Sequence, residues 1–217
     1  MKQGLTEMIF ILDRSGSMAG LEQDTIGGYN SLLEKQRAED GEAIITTVLF
    51  DDKYELVHDR LPLTFVAGLT SNEYFVRGTT ALLDAIGRSI QHIIQMRRRT
   101  APDQQPERTI FVITTDGAEN ASWEFSADRI KTMIEYQQKN YHWEFLFLGA
   151  NIDAVAAASH VGIASDRAVQ YHADADGTAL NYVVIGEAIS QIRQSKRLDA
   201  DWKERVEEDH RTRTKRS

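Results

Sequence analysis

The run Met8-Ile9-Phe10-Ile11-Leu12 ends abruptly in Asp13, and Ser15 and Ser17 follow at alternate positions around Gly16. A continuous apolar run of this kind suits a strand buried on both faces. Such a strand carries its terminal carboxylate and hydroxyls to one end of a sheet. Those oxygens are hard donors of the kind that hold Mg²⁺, Mn²⁺ or Ca²⁺. Read locally, the same residues also serve as caps for the next helix.

The remaining chain has the same character. Ala43 to Phe50, Thr109 to Thr114 and Trp143 to Leu148 are strand-like runs, and Ala168 to Tyr171 is a shorter one. Helical spacing is found over Leu21 to Arg37, Ala81 to Met96, Phe125 to Lys139, Ala154 to His160 and Thr178 to Arg193. Ile130, Met133, Ile134 and Tyr136 are core candidates on the third of these, and Val183 is one on the last. Asp51-Asp52-Lys53 is too short for anything but an antiparallel return into a strand over Tyr54 to Leu61. Gly27-Gly28 inside the first helix marks either close backbone packing or a kink. The alternation predicts a Rossmann-like, doubly wound α/β fold. Its central sheet is mostly parallel, with one antiparallel edge strand and helices on both faces. Ligands of such sheets sit beyond the carboxyl ends of the strands, where strand order reverses. Asp13, Thr80 and Asp116 all fall at that rim.

Composition narrows the function. A net charge of −8 lacks the basic footprint of a general nucleic-acid binder. The chain has no cysteine, which removes thiolate zinc sites, disulfides and cysteine nucleophiles. No stretch has the length and apolarity of a membrane span, and the N-terminus does not read as a signal peptide. The expectation is a cytoplasmic protein without nucleic-acid or membrane partners. From Leu198 onward the sequence turns to mixed charge, with only Trp202 and Val206 apolar. It reads as one domain over residues 1–198 followed by a charged tail, 199–217, forming a peripheral helix or a disordered end.

Three segments in order carry a family resemblance. Asp13-Arg14-Ser15-Gly16-Ser17, Gly78-Thr79-Thr80-Ala81-Leu82-Leu83-Asp84 and Thr115-Asp116-Gly117 resemble the metal-ion-dependent adhesion site of von Willebrand factor type A (VWA) domains. The resemblance runs roughly from Thr6 to Arg193. In detail it is to the compact, stand-alone VWA proteins of bacteria, some of them associated with tellurium resistance and stress responses. It implies that Ser15, Ser17 and Thr80 coordinate the metal through hydroxyls, with Thr79 competing for the third place. Asp13 and Asp116 would hold the ion more loosely, often through water. It implies Mg²⁺ as the cofactor, with Mn²⁺ or Ca²⁺ as alternatives. The expected function is a non-catalytic protein-binding module that captures an Asp or Glu carboxylate of a partner protein.

The competing expectation is a metal-dependent hydrolase or phosphoryl-transfer enzyme, since a strand-end aspartate beside a divalent ion also suits phosphatases. Against it, Ser15 stands where such enzymes place a second aspartate, and no lysine or histidine is evidently placed as acid or base. Asp51 and Asp52 read as a charged turn or a second carboxylate site. Asp84 reads as support for the metal loop. Glu119, Asn120, Asn151 and Asp153 are rim residues with possible binding roles. Asp174, Asp176 and Gly177 resemble the start of a calcium loop but lack its later ligands. The six histidines show no zinc-like spacing.

Overall fold

A computed structural model describes residues 1–194 and 198–214. In chain order the elements are β1 (Lys2–Asp13), α1 (Glu22–Arg37), β2 (Ala43–Phe50), β3 (Tyr54–Pro62), α2 (Leu82–Arg99), β4 (Pro106–Thr115), α3 (Ala127–Tyr141), β5 (Glu144–Ala150), α4 (Ala154–His160), β6 (Ala168–Tyr171), α5 (Ala175–Arg193) and α6 (Glu204–Thr214). They build one six-stranded sheet in the order β3-β2-β1-β4-β5-β6. All neighbours are parallel except β3, which runs antiparallel on the edge beside β2. Strand order reverses between β1 and β4, so the crevice beyond their carboxyl ends is the switch point. The expected α/β architecture is the observed one.

Side-chain alternation along β1 divides the core between the two faces. Met8, Phe10 and Leu12 pack with α1, α5 and the C-terminal segment. Ile9 and Ile11 pack with α2, α3 and α4. Both sets are fully buried. The strand begins at Lys2, earlier than its apolar run, because Glu7 does not interrupt it. Glu7 is buried and accepts a hydrogen bond from Arg60 Nε at 2.6 Å, which makes a carboxylate tolerable inside the sheet.

Of the two readings of Gly27-Gly28, close packing is the one seen. A Cβ on Gly28 would lie 2.2 Å from Cδ2 of Tyr182, so the α5 ring rests directly on the α1 backbone. Two core candidates prove to be on the surface. Tyr136 is 54% exposed and Val183 45%, because each faces outward from a helix whose buried stripe is narrower than its apolar content.

The segment after Leu198 packs on the sheet's β6 side. Leu198, Trp202 and Val206 are buried in the same cluster as α1 and α5. Lys203 Nζ donates to the carbonyls of Ser165 and Ala168 at 2.8 and 2.7 Å. Residues 215–217 of the basic terminus lie outside the described residues.

Candidate metal centre

β1 and β4 lie side by side in parallel, and their ends bring Asp13 and Thr115 together. Thr115 Oγ1 donates to Asp13 Oδ2 at 2.5 Å, and the Ser15 amide donates to Asp13 Oδ1 at 2.7 Å. Asp13 is thus held at both oxygens, and it fixes the turn that follows it. That turn places Ser15 Oγ 3.0 Å from Ser17 Oγ. Thr80, from the loop before α2, donates to Ser15 Oγ at 3.0 Å. Ser17 Oγ donates to Asp116 Oδ1 at 2.5 Å. The structure therefore brings Asp13, Ser15, Ser17, Thr80 and Asp116 into one hydrogen-bonded cluster, from three separate segments. Thr79 is exposed and outside it. Ser15 makes no capping bond, and α2 begins after Ala81 without a side-chain cap, so the local capping readings are not realised.

The cluster is acidic and buried except at Ser17, which is exposed. Asp13, Ser15, Thr80 and Asp116 are each no more than 3% exposed. Burial pushes the Asp13 carboxyl up to about 6, against the hydrogen bonds from Thr115 and Ser15 that favour its charge. Burial also raises Asp116, again opposed by its bond from Ser17. Asp116 Oδ2 is buried and has no hydrogen-bond partner among the described residues. Beside it, Gly117 leaves open space. A Cβ there would stand 2.9 Å from both Ser17 Oγ and Thr80 Oγ1, and 3.7 Å from Ser15 Oγ. An orphaned carboxylate oxygen, three hydroxyls and a gap that only glycine leaves fit a small hard cation. Among the described residues no group of three His, Cys, Asp or Glu side chains could hold a metal, so hydroxyls are essential to such a site.

Several supporting residues escape a reading of local pattern. Arg14, between two cluster residues, is fully buried. It donates to Asp51 Oδ2 at 3.1 Å, to the Glu73 carbonyl at 3.1 Å and to Glu55 Oε2 at 2.6 Å. Arg77 donates to the same Asp51 oxygen at 2.5 Å. With the backbone bonds Arg77 N to Arg14 O (2.9 Å) and Gly16 N to Gly78 O (3.2 Å), these straps tie the Thr80 segment to the end of β1. Asp51 is accordingly a buried structural ion, neither a solvated turn residue nor a free carboxylate.

The remaining rim residues are also engaged. Asp84 accepts from the amides of Trp123, Glu124 and Phe125 at 2.9–3.1 Å, which pins the segment after Asp116. Glu119 accepts from the amides of Leu83, Ala121 and Ser122, and Asn120 Oδ1 accepts from the Thr80 amide at 3.0 Å. Asn151 adopts a positive φ, and Asp153 caps α4 through the Ala156 amide. Asp174 caps α5 through the Gly177 amide and pairs with Arg213.

A doubly wound sheet with this cluster at its switch point is the von Willebrand factor type A fold, and solved structures of that class superpose on the chain. Proximal thread matrix protein 1 from the mussel byssus, in a structure with a zinc-occupied MIDAS motif, matches with a TM-score of 0.59 at 13% identity over 85% of this chain. The chain spans 46% of that protein's length. The vWF domain of a type V pili tip protein from Porphyromonas gingivalis matches with a TM-score of 0.62 at 10% identity, covering 85% of this chain and 94% of that one. The manganese-loaded TRAP protein of Plasmodium vivax matches with a TM-score of 0.55 at 15% identity, covering 83% and 72%. No family model matches the sequence, and no curated protein does.

Proposed function

We propose that the chain is a non-catalytic binding module whose Asp13, Ser15, Ser17, Thr80 and Asp116 hold a divalent cation, Mg²⁺ or Mn²⁺ with Ca²⁺ as an alternative, and that it captures an Asp or Glu carboxylate of a partner protein. The observation that carries this reading is the convergence of three hydroxyls with Asp116, whose Oδ2 is buried and unpartnered among the described residues. The zinc and manganese bound by two structures of the same fold support it.

The division of labour follows from the hydrogen bonds. Ser15, Ser17 and Thr80 offer neutral oxygens, and Asp116 offers a free one. Asp13 is committed at both oxygens and positions the turn. A cation held largely by neutral hydroxyls keeps its charge available to an incoming carboxylate. Among the described residues no histidine hydrogen-bonds to the cluster, and His58 bonds to Thr47, His92 to Asp59 and His172 to the His210 carbonyl. That favours capture over hydrolysis, which needs a positioned acid or base. Trp123, 82% exposed on the segment held by Asp84, supplies a large aromatic contact near the rim, of the type that anchors interfaces.

The test is a calorimetric titration of chelated protein with Mg²⁺ and Mn²⁺, paired with affinity capture of partners with and without chelator. Saturable metal binding is expected, lost in Ser15→Ala, together with capture that chelation abolishes. Undiminished capture in excess chelator would overturn the reading.

A further inference from the structure

A second site lies at the opposite end of the molecule from the oxygen cluster. α2 starts just after Thr80 and is 18 residues long, so its last turn is roughly 27 Å away. There, between the ends of α2 and α3 and the start of β5, is a cavity of about 470 Å³. That volume lies in the range of small-molecule sites. Its lining contains Arg97 and Arg98 and no carboxylate, in a chain whose net charge is −8.

Three features give the cavity a chemical preference. Its walls include Tyr136, Tyr141 and Trp143, and the two tyrosine rings lie 6.2 Å apart, each about half exposed. The Trp143 side chain is 2% exposed, and its indole N–H has no acceptor among the described residues. A buried donor without a partner is uncommon, and it leaves the indole signal sensitive to what the cavity holds. The Arg97 guanidinium lies 5.8 Å from the Tyr141 ring centroid, and its bonds among the described residues are long, 3.3 Å to Gln105 Oε1, 3.4 Å to Thr109 Oγ1 and 3.5 Å to the Pro106 carbonyl. Arg98 is exposed and has no hydrogen bond or ion pair among the described residues.

We propose that this cavity binds a planar aromatic anion, a ring carrying a carboxylate or phosphate group. The ring lies among Tyr136, Tyr141 and Trp143, and the anionic group meets Arg97 and Arg98. Aromatic faces with the Arg98 guanidinium, unpaired among the described residues, and the Arg97 guanidinium, which also feels the buried Glu7 charge, are the complement of such a molecule.

The test follows the indole N–H signals of the full, isotope-labelled chain by NMR, with the Trp143 signal assigned from Trp143→Phe. Phenylacetate and adenosine monophosphate are the two anionic probes and distinguish a carboxylate ligand from a phosphate one. Phenylacetamide, adenosine and inorganic phosphate are the controls. A saturable shift of the Trp143 signal with either anionic probe is expected, with Trp123 and Trp202 unmoved. Arg97→Gln and Arg98→Gln should each weaken binding by about tenfold. Arg98→Gln removes no hydrogen bond or ion pair among the described residues, so a thermal melt should be unchanged and its effect on binding separable from the fold. Silence of the Trp143 signal with both probes, equal binding of the uncharged analogues, or unchanged affinity in Arg98→Gln would each overturn the proposal.

Discussion

Arg14 Nε donates to Asp51 Oδ2 at 3.1 Å with neither side chain exposed to solvent, which makes this ion pair the internal brace of the rim. Burial acting alone would raise the Asp51 pKa. Hydrogen bonds from Arg77 and the Lys53 amide, with the Arg14 charge, outweigh it and hold the carboxyl below its ordinary value. Removing Arg14 leaves Arg77 as the cation bonded to Asp51. Arg14→Met should therefore destabilise the fold by about 1.5–3 kcal/mol, the contribution of a hydrogen bond to a charged group. Adding Asp51→Leu should recover part of that loss, because the two changes are coupled. Urea unfolding of the three variants gives the coupling energy, and strictly additive losses would contradict the brace.

Gly117 tests the metal reading without touching a proposed ligand. Its added Cβ in Gly117→Ala would stand 2.9 Å from Ser17 Oγ and Thr80 Oγ1. Metal affinity should fall by at least about tenfold, while stability of the chelated protein changes by less than about 1 kcal/mol. Calorimetric titration and thermal melts measure the two separately. Wild-type affinity in this variant would show that the space beside the hydroxyls is not used.

Asp84 receives three backbone amides, all from the segment that follows Asp116. Asp84→Ala should cost about 3 kcal/mol, given that hydrogen bonds to charged groups contribute about 1.5–3 kcal/mol each and are not additive. Hydrogen exchange at the amides of residues 123–125 should accelerate well beyond the global change. Uniform acceleration across the sheet would argue that Asp84 acts on the whole fold and not on this loop.

His58 supplies a pH dependence remote from the oxygen cluster. It is 7% exposed, and its Nδ1 lies 3.0 Å from Thr47 Oγ1, which bonds in turn to Tyr29. Burial lowers its pKa from 6.5, with a smaller opposing effect of Glu73. Below that value the unfolded chain binds the proton and the folded chain resists it. Stability from neutral His58 is thus complete above about pH 6.5 and declines as pH falls toward the folded pKa. The stability difference between wild type and His58→Gln should be constant above that pH and shrink below it. Parallel curves from about pH 7 to 5 would refute the assignment.

Much of this architecture is legible in the residues themselves. Apolar runs that end in Asp13 and Thr115 announce buried strands with oxygens at their ends, because side-chain period and strand termination are local properties. The three motif segments are legible for the same reason. What is not legible depends on distant partners. Arg14 reads as a loop residue until Asp51 and Glu55 are found across the rim. Asp84 reads as support for the metal loop, but which amides it holds is not visible, and Glu119 reads as a rim carboxylate until the amides it accepts are in place. Tyr136 reads as core because it is aromatic, yet it lines an open cavity. The C-terminal segment has so few apolar residues that only the packed positions of Trp202 and Val206 reveal how it is held.

That segment has a consequence for assembly. β6 is the last strand of the sheet and only four residues long, and its outer side would offer unpaired backbone groups. The helix α6 and the turn before it lie against this strand, with Lys203 bonded to the Ala168 carbonyl and the Trp202 indole to the Asp166 carbonyl. Together they keep the sheet finite. Cut away, they would leave the outer backbone groups of β6 open to whatever strand could pair with them.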